Sequence, residues 1–248
     1  MKPPVVLVHA FPLSHAMWQA QVEALAPQFR VIVPDLPGFG GSARQVKPSI
    51  SQMAQEIAAL LDQQKITEPV FIGGLSMGGY VVFEFLRQFP QRVRGLGFFS
   101  TRAAADTAEA REGRLKTAQK IQAEGLQSFS KVILPKLLGK TTMESNPAVV
   151  RQVTDLILAS KPEGVADALL AMADRRDSTD LLGAVRVPTL VVAGEQDSFI
   201  PPAEAEAMAR AIPGAQLHVI KEAGHLLNLE QPAPFQQLLT QFLAGHKI

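Results

Sequence analysis

The residues most able to do chemistry in this sequence begin with Ser76, set in Gly74-Leu75-Ser76-Met77-Gly78. The apolar run Val70, Phe71, Ile72, Gly73 precedes it, and an apolar helical pattern opening at Tyr80, Val81, Val82 follows. That is a strand, a sharp turn and a helix with a serine at the apex. Glycine two residues to either side lets neighbouring backbones approach where a Cβ would clash. A hydroxyl at its ordinary pKa is a weak nucleophile, so it needs a base beside it and an acid to orient that base. A glycine-rich turn with an incidental serine needs neither. Downstream stand Asp197, in Gly194-Glu195-Gln196-Asp197, and His225, in Ala223-Gly224-His225. Each lies just past the end of an apolar strand-like run, where catalytic groups gather in open α/β sheets.

Short apolar runs alternating with helical periodicity imply right-handed βαβ units and a parallel sheet. Six strands are expected, near residues 5–9, 30–34, 69–74, 94–99, 188–194 and 215–220. Between Arg102 and Leu182 the alternation stops, and the segment reads as helices broken at Gly125, Pro135, Gly139, Asn146-Pro147 and Lys161-Pro162. Residues 234–243 read as a final amphipathic helix. The length suits one domain spanning 1–248.

Five motifs in order make the chain resemble the α/β-hydrolase superfamily over nearly its whole length: VVLVHAFP (Val5 to Pro12), DLPGFGGS (Asp35 to Ser42), GGLSMGG (Gly73 to Gly79), VVAGEQDSFIP (Val191 to Pro201) and EAGHLLNLEQP (Glu222 to Pro232). The resemblance implies an α/β fold with a mostly parallel sheet, here of six strands and without the N-terminal hairpin strands, plus a helical cap inserted at about residues 103–182. It implies Ser76 as nucleophile, His225 as general base and then acid, and Asp197 as the carboxylate that fixes the histidine tautomer. It also implies an oxyanion hole from the backbone N–H groups of Met77 and Phe11. Ala10 stands where relatives usually have glycine, which would be strained if that position required a positive φ. His9 is expected to order the loop around Phe11, while His15, His218 and His246 match no motif.

Other chemistries find less support. Gly38-Phe39-Gly40-Gly41-Ser42-Ala43 fits a dinucleotide fingerprint formally, but Pro37 interrupts it and no acidic residue ends a second strand at the right distance. Gly73 to Gly79 lacks the lysine of a phosphate-binding loop. With 24 basic and 23 acidic residues mixed along the chain, no basic stripe points to nucleic acid or an anionic membrane. Without cysteine there is no disulfide framework, thiolate metal site or cysteine nucleophile. The early apolar run Val5 to Ala10 is too short for a signal segment, so a cytoplasmic protein is expected.

The function expected is hydrolysis of a small carboxylic ester through an acyl-enzyme, with no metal or organic cofactor. An enol-lactonase or a cofactor-free perhydrolase would use the same three residues, and a non-catalytic ligand receptor on this fold is a third possibility. Aspartate-nucleophile branches are disfavoured by Ser76, and hydroxynitrile lyases by Leu226 after the histidine. Of the apolar residues in this segment, Phe129, Ile133, Leu134, Leu137, Leu138, Met143, Leu156, Ile157, Leu169 and Met172, only a few are expected to touch substrate while the rest pack the insertion against the core. A lining of aliphatic residues rather than arginine clusters is expected to favour short to medium uncharged acyl or small aryl groups.

Overall fold

The computed structural model describes residues 2–246. Six strands form one sheet: β1 (Pro4–Val8), β2 (Arg30–Ile32), β3 (Val70–Leu75), β4 (Val93–Phe99), β5 (Thr189–Gly194) and β6 (Gln216–Ile220). Their order is β2-β1-β3-β4-β5-β6, and every neighbouring pair is parallel. All six fall within two residues of the expected positions. β1, β3 and β5 are buried along their entire length, as strands covered on both faces must be.

Eleven α-helices surround the sheet among the described residues. α1 (Gln19–Leu25), α2 (Ile50–Gln63) and α3 (Met77–Gln88) alternate with the first four strands. α4 (Ala108–Leu137), α5 (Lys140–Ser145), α6 (Pro147–Leu158), α7 (Pro162–Ala173) and α8 (Thr179–Leu182) are all inserted between β4 and β5. α9 (Pro202–Ala211), α10 (Leu227–Glu230) and α11 (Pro232–Gly245) complete the chain. Neighbouring strand residues point to opposite faces, and the phenylalanines show which helix covers each. Phe98 stacks on Phe83 of α3 with ring centroids 4.2 Å apart, whereas Phe99 meets Phe235 of α11 edge-on at 5.0 Å.

The insertion follows the expected breaks with one correction. Gly125 interrupts α4 with φ 75° and ψ −179°, and gaps between helices fall at Gly139, Asn146 and before Pro162. Pro135, expected to end a helix, lies inside α4. It stands two residues before the helix ends, where its missing N–H forfeits a single intrahelical bond. No helix among the described residues is long and apolar enough to cross a membrane.

Candidate active site

Ser76 sits between β3 and α3 with φ 56° and ψ −112°, a conformation a side-chain-bearing residue rarely adopts. Such a residue carries about 1–3 kcal/mol of strain and persists where its surroundings over-determine it. The surroundings here do so. The Ser76 N–H donates to the Phe99 carbonyl at 2.9 Å, its own carbonyl accepts from the Gly79 N–H at 2.9 Å, and the Thr101 hydroxyl donates to that carbonyl at 2.9 Å. A Cβ on Gly78 would lie 2.3 Å from the Val8 carbonyl oxygen, and one on Gly74 would lie 2.2 Å from the Gly78 backbone. Only glycine at both positions lets α3 start this close to the ends of β1 and β3. Sequence reasoning missed the Thr101 hydroxyl, for which no local signal exists.

Past β5, the Asp197 carboxylate is oriented by its own loop. Oδ1 accepts from the Phe199 and Ile200 N–H groups at 2.9 and 2.8 Å, leaving Oδ2 to His225 Nδ1 at 2.8 Å. Because a carboxylate accepts, Nδ1 carries a proton, which in the neutral ring leaves the lone pair on Nε2. His225 is fully buried, and Nε2 has no hydrogen-bond partner. The structure thus joins Asp197 to His225 and leaves the bond from Nε2 to the Ser76 hydroxyl open. Catalytic hydrogen bonds of this kind often tighten only when substrate is bound.

Met77 is the first residue of α3, so its N–H has no acceptor within the helix and lies at the positive end of the helix dipole. The loop after β1 carries Phe11. Ala10 is not among the residues with positive φ, so alanine causes no strain there. His9 is fully buried beneath this loop, its Nδ1 on the Ala10 carbonyl and its Nε2 accepting from the Leu36 N–H, both at 3.0 Å. Burial, outweighing weaker opposing contacts, lowers its pKa from 6.5 to about 4, so the ring is neutral. His9 therefore ties the Phe11 loop to the segment after β2, in the ordering role expected of it.

The histidine loop is held from the insertion as well. The His225 and Leu226 N–H groups donate to the Leu137 carbonyl at 3.1 and 3.2 Å. The buried Glu230 carboxylate accepts from the Gly139 N–H and the Thr142 hydroxyl, each at 2.7 Å, and from the Leu226 N–H at 3.1 Å. Burial raises its pKa, and these donors partly offset that. The Gln196 side chain, one residue before Asp197, pairs with the Thr141 N–H and hydroxyl at 2.9 and 2.8 Å. Gly194, Gly224 and Gly139 pack backbone to backbone: a Cβ on Gly224 would lie 2.1 Å from the Gly139 nitrogen, and one on Gly194 would lie 2.0 Å from the Gly224 oxygen. Sequence reasoning gave Gln196 and Glu230 no part, although both stand inside the quoted motifs.

A cavity of about 440 Å³ opens beside the site. Ser76 does not itself line it; Phe11 and Phe199 do, and the Phe199 ring packs edge-on against His225 at 5.1 Å. Of the expected pocket residues, Phe129, Ile133 and Leu169 line it, whereas Leu137 and Met172 are buried in packing and Met143 faces outward. The expectation of a lining without arginine is overturned, because Arg102 and Arg114 face this space with Lys120 and Lys136 against Asp106 and Glu124. Asp106 gathers Arg102, Arg114 and Arg175 from three segments, a cluster that no local spacing announces. Burial pushes the Asp106 carboxyl up, but Arg114 and Arg175 outweigh it and hold the pKa below the usual value.

Comparison with known proteins agrees with this architecture. The family model described as alpha/beta hydrolase fold matches residues 3–232. A solved thermophilic esterase from Thermogutta terrifontis, with malate bound, is 44% identical and superposes with a TM-score of 0.97, covering 100% of this chain and 92% of that one. A 3-oxoadipate enol-lactonase from Acinetobacter baylyi is 28% identical over 94% of this chain and 86% of its own. A pimeloyl-[acyl-carrier protein] methyl ester esterase from Aeromonas hydrophila is 30% identical over 97% of this chain and 95% of its own.

Proposed function

The chain belongs to the alpha/beta hydrolase fold family, and we propose from its site that it is a serine hydrolase cleaving small carboxylic esters through an acyl-enzyme. One observation carries the reading: the buried His225 holds Asp197 on Nδ1 and offers an unpartnered Nε2, while Ser76 occupies a strained turn at a helix N-terminus. In this mechanism the Ser76 oxygen attacks the ester carbonyl carbon as Nε2 takes the hydroxyl proton. The oxyanion accepts from the Met77 and Phe11 N–H groups, and Asp197 stabilises the imidazolium. Nε2 then hands the proton to the departing alkoxide. Water attacks the acyl-enzyme, His225 again takes the proton, and its return to the serine oxygen frees the carboxylic acid.

The cavity volume lies in the range of small-molecule sites, which supports short to medium acyl groups as substrates. A lactone is an ester closed in a ring and passes through the same steps with its alcohol still tethered. The enol-lactonase among the relatives makes ring substrates the second reading. A cytoplasmic enzyme needing no cofactor is part of the proposal.

A fluorophosphonate probe and a panel of 4-nitrophenyl esters of increasing acyl length test it. Ser76→Ala is expected to fold, to lose labelling and to lose about 10⁴-fold or more in kcat/KM. Labelling at another residue would overturn Ser76 as the nucleophile, and an unlabelled wild type inert on esters and lactones alike would point to a receptor; either result overturns the proposal.

A further inference from the structure

The cavity beside Ser76 is apolar over much of its wall, yet it contains more cationic donors than the protein itself uses. The Asp106 carboxylate is almost wholly buried and is shared by three guanidiniums. Each guanidinium has five N–H donors, whereas one carboxylate offers about four lone-pair sites. Arg175 spends its surplus on protein: it donates to the Met172 and Ala104 carbonyls at 3.1 and 2.8 Å and lies over the Tyr80 ring at 4.2 Å. The other two do not. Arg102 reaches Asp106 through Nη2 at 2.9 Å, and its buried Nε has no partner. Arg114 places Nε on Asp106 at 2.5 Å and Nη2 on it at a long 3.5 Å, but leaves Nη1 to the Met172 thioether at 3.4 Å, a weak acceptor. Both line the cavity, where Lys136 adds positive charge, Lys120 is paired with Glu124 at 3.8 Å, and Asp106 is the other acidic residue.

These groups also stand close to the chemistry. Arg102 directly follows Thr101, whose hydroxyl holds the Ser76 carbonyl, and Tyr80, under Arg175, lies one helical turn beyond Ser76. We propose that Arg102 and Arg114 bind a free carboxylate on the substrate, so that the preferred substrate is a small ester or lactone bearing a second, ionised carboxyl group. The assignment deepens the serine-hydrolase proposal and rests on it for the scissile bond. An uncharged acyl chain would enter the same cavity and leave the surplus donors unanswered, whereas a carboxylate meets a planar guanidinium in two parallel hydrogen bonds. Asp106 has the complementary part of keeping three like charges together while leaving the site cationic.

Ester hydrolysis followed at constant pH compares monomethyl adipate with dimethyl adipate and methyl hexanoate, and calorimetry measures free glutarate and inorganic phosphate. The wild type is expected to favour monomethyl adipate over methyl hexanoate by about tenfold or more in kcat/KM, the size of a charge-assisted hydrogen bond. Arg102→Met and Arg114→Met each leave Asp106 two arginine partners, so the fold should survive. Each is expected to lower the monomethyl adipate to methyl hexanoate ratio at least tenfold, chiefly through KM, and to weaken glutarate binding. Equal rates on the two substrates, or a ratio unchanged in both variants, would reduce the arginines to a structural knot and overturn the assignment while the serine-hydrolase proposal stands. If no ester is cleaved, glutarate binding that is lost in Arg114→Met still supports the subsite, and its absence refutes it. Phosphate binding more tightly than glutarate would refute the choice of carboxylate.

Discussion

Replacing His9 by glutamine should flatten the acid side of the stability profile. The ring is buried and neutral, with a pKa of about 4 against 6.5 in the unfolded chain. Between those values the unfolded state binds a proton that the folded state refuses, so stability falls as the pH is lowered through this window and is fully present above it. Integrated from pH 8 to pH 4.5, this one group removes about 2–3 kcal/mol, a substantial share of the roughly 5–15 kcal/mol that holds a typical domain together. Glu56 and Glu230, whose pKa values burial raises, work in the opposite direction over part of the same range. The informative quantity is therefore the difference between wild type and His9→Gln, in which they cancel. Glutamine can donate to the Ala10 carbonyl and accept from the Leu36 N–H as the ring does, but it cannot titrate. The variant also loses the edge contact with Phe39, so it should be less stable at pH 8. Urea midpoints measured at half-unit intervals should show the two proteins converging by about 1 M between pH 8 and pH 4.5. Parallel profiles would mean that His9 does not reside neutral in the core beneath the Phe11 loop.

Two further substitutions test the site's supports. Asp197→Asn keeps the acceptor for Phe199 and Ile200 but offers N–H to His225 Nδ1, forcing the proton onto Nε2; kcat should drop by about 10⁴-fold with the circular dichroism spectrum unchanged, and a loss below tenfold would unseat Asp197. Glu230→Ala strands three buried donors, and at about 1 kcal/mol or more each the melting temperature should fall by about 6–12 °C, with Glu230→Gln recovering part; an unchanged melting temperature would contradict the clamp.

Much of this architecture was legible because it is written in local pattern. The six strands announce themselves as apolar runs, and Ser76, Asp197 and His225 each follow one directly, so order along the chain placed all three at one edge of the sheet. What stayed hidden depends on groups meeting from distant segments. Asp106 looks like any acidic residue until α4 and the segments that follow α7 and β4 bring Arg114, Arg175 and Arg102 around it. The same holds for Glu230, which reads as part of a short helix and works as an anchor for residues about ninety positions earlier. The carboxylates and guanidiniums bear no periodicity, and their partners are chosen by packing alone.

The three-glycine contact among Gly194, Gly224 and Gly139 bears on how such a protein can be recombined. An insertion between two strands looks exchangeable, as though a new roof could be grafted wherever the chain leaves and re-enters the sheet. Here the roof's inner seam is interlocked with the loops carrying Asp197 and His225, at a spacing no larger side chain tolerates. A chimera with crossover points at the ends of β4 and β5 would therefore import a foreign seam against native loops, and would fail unless the donor also brings glycine and the carbonyl that receives the His225 N–H. Crossovers after Ser145 and before Pro162, which leave that seam intact, exchange only α6 and its flanking turns. Diversity in this part of the molecule is accordingly easier to gain from the outer helices than from the hinge on which they hang.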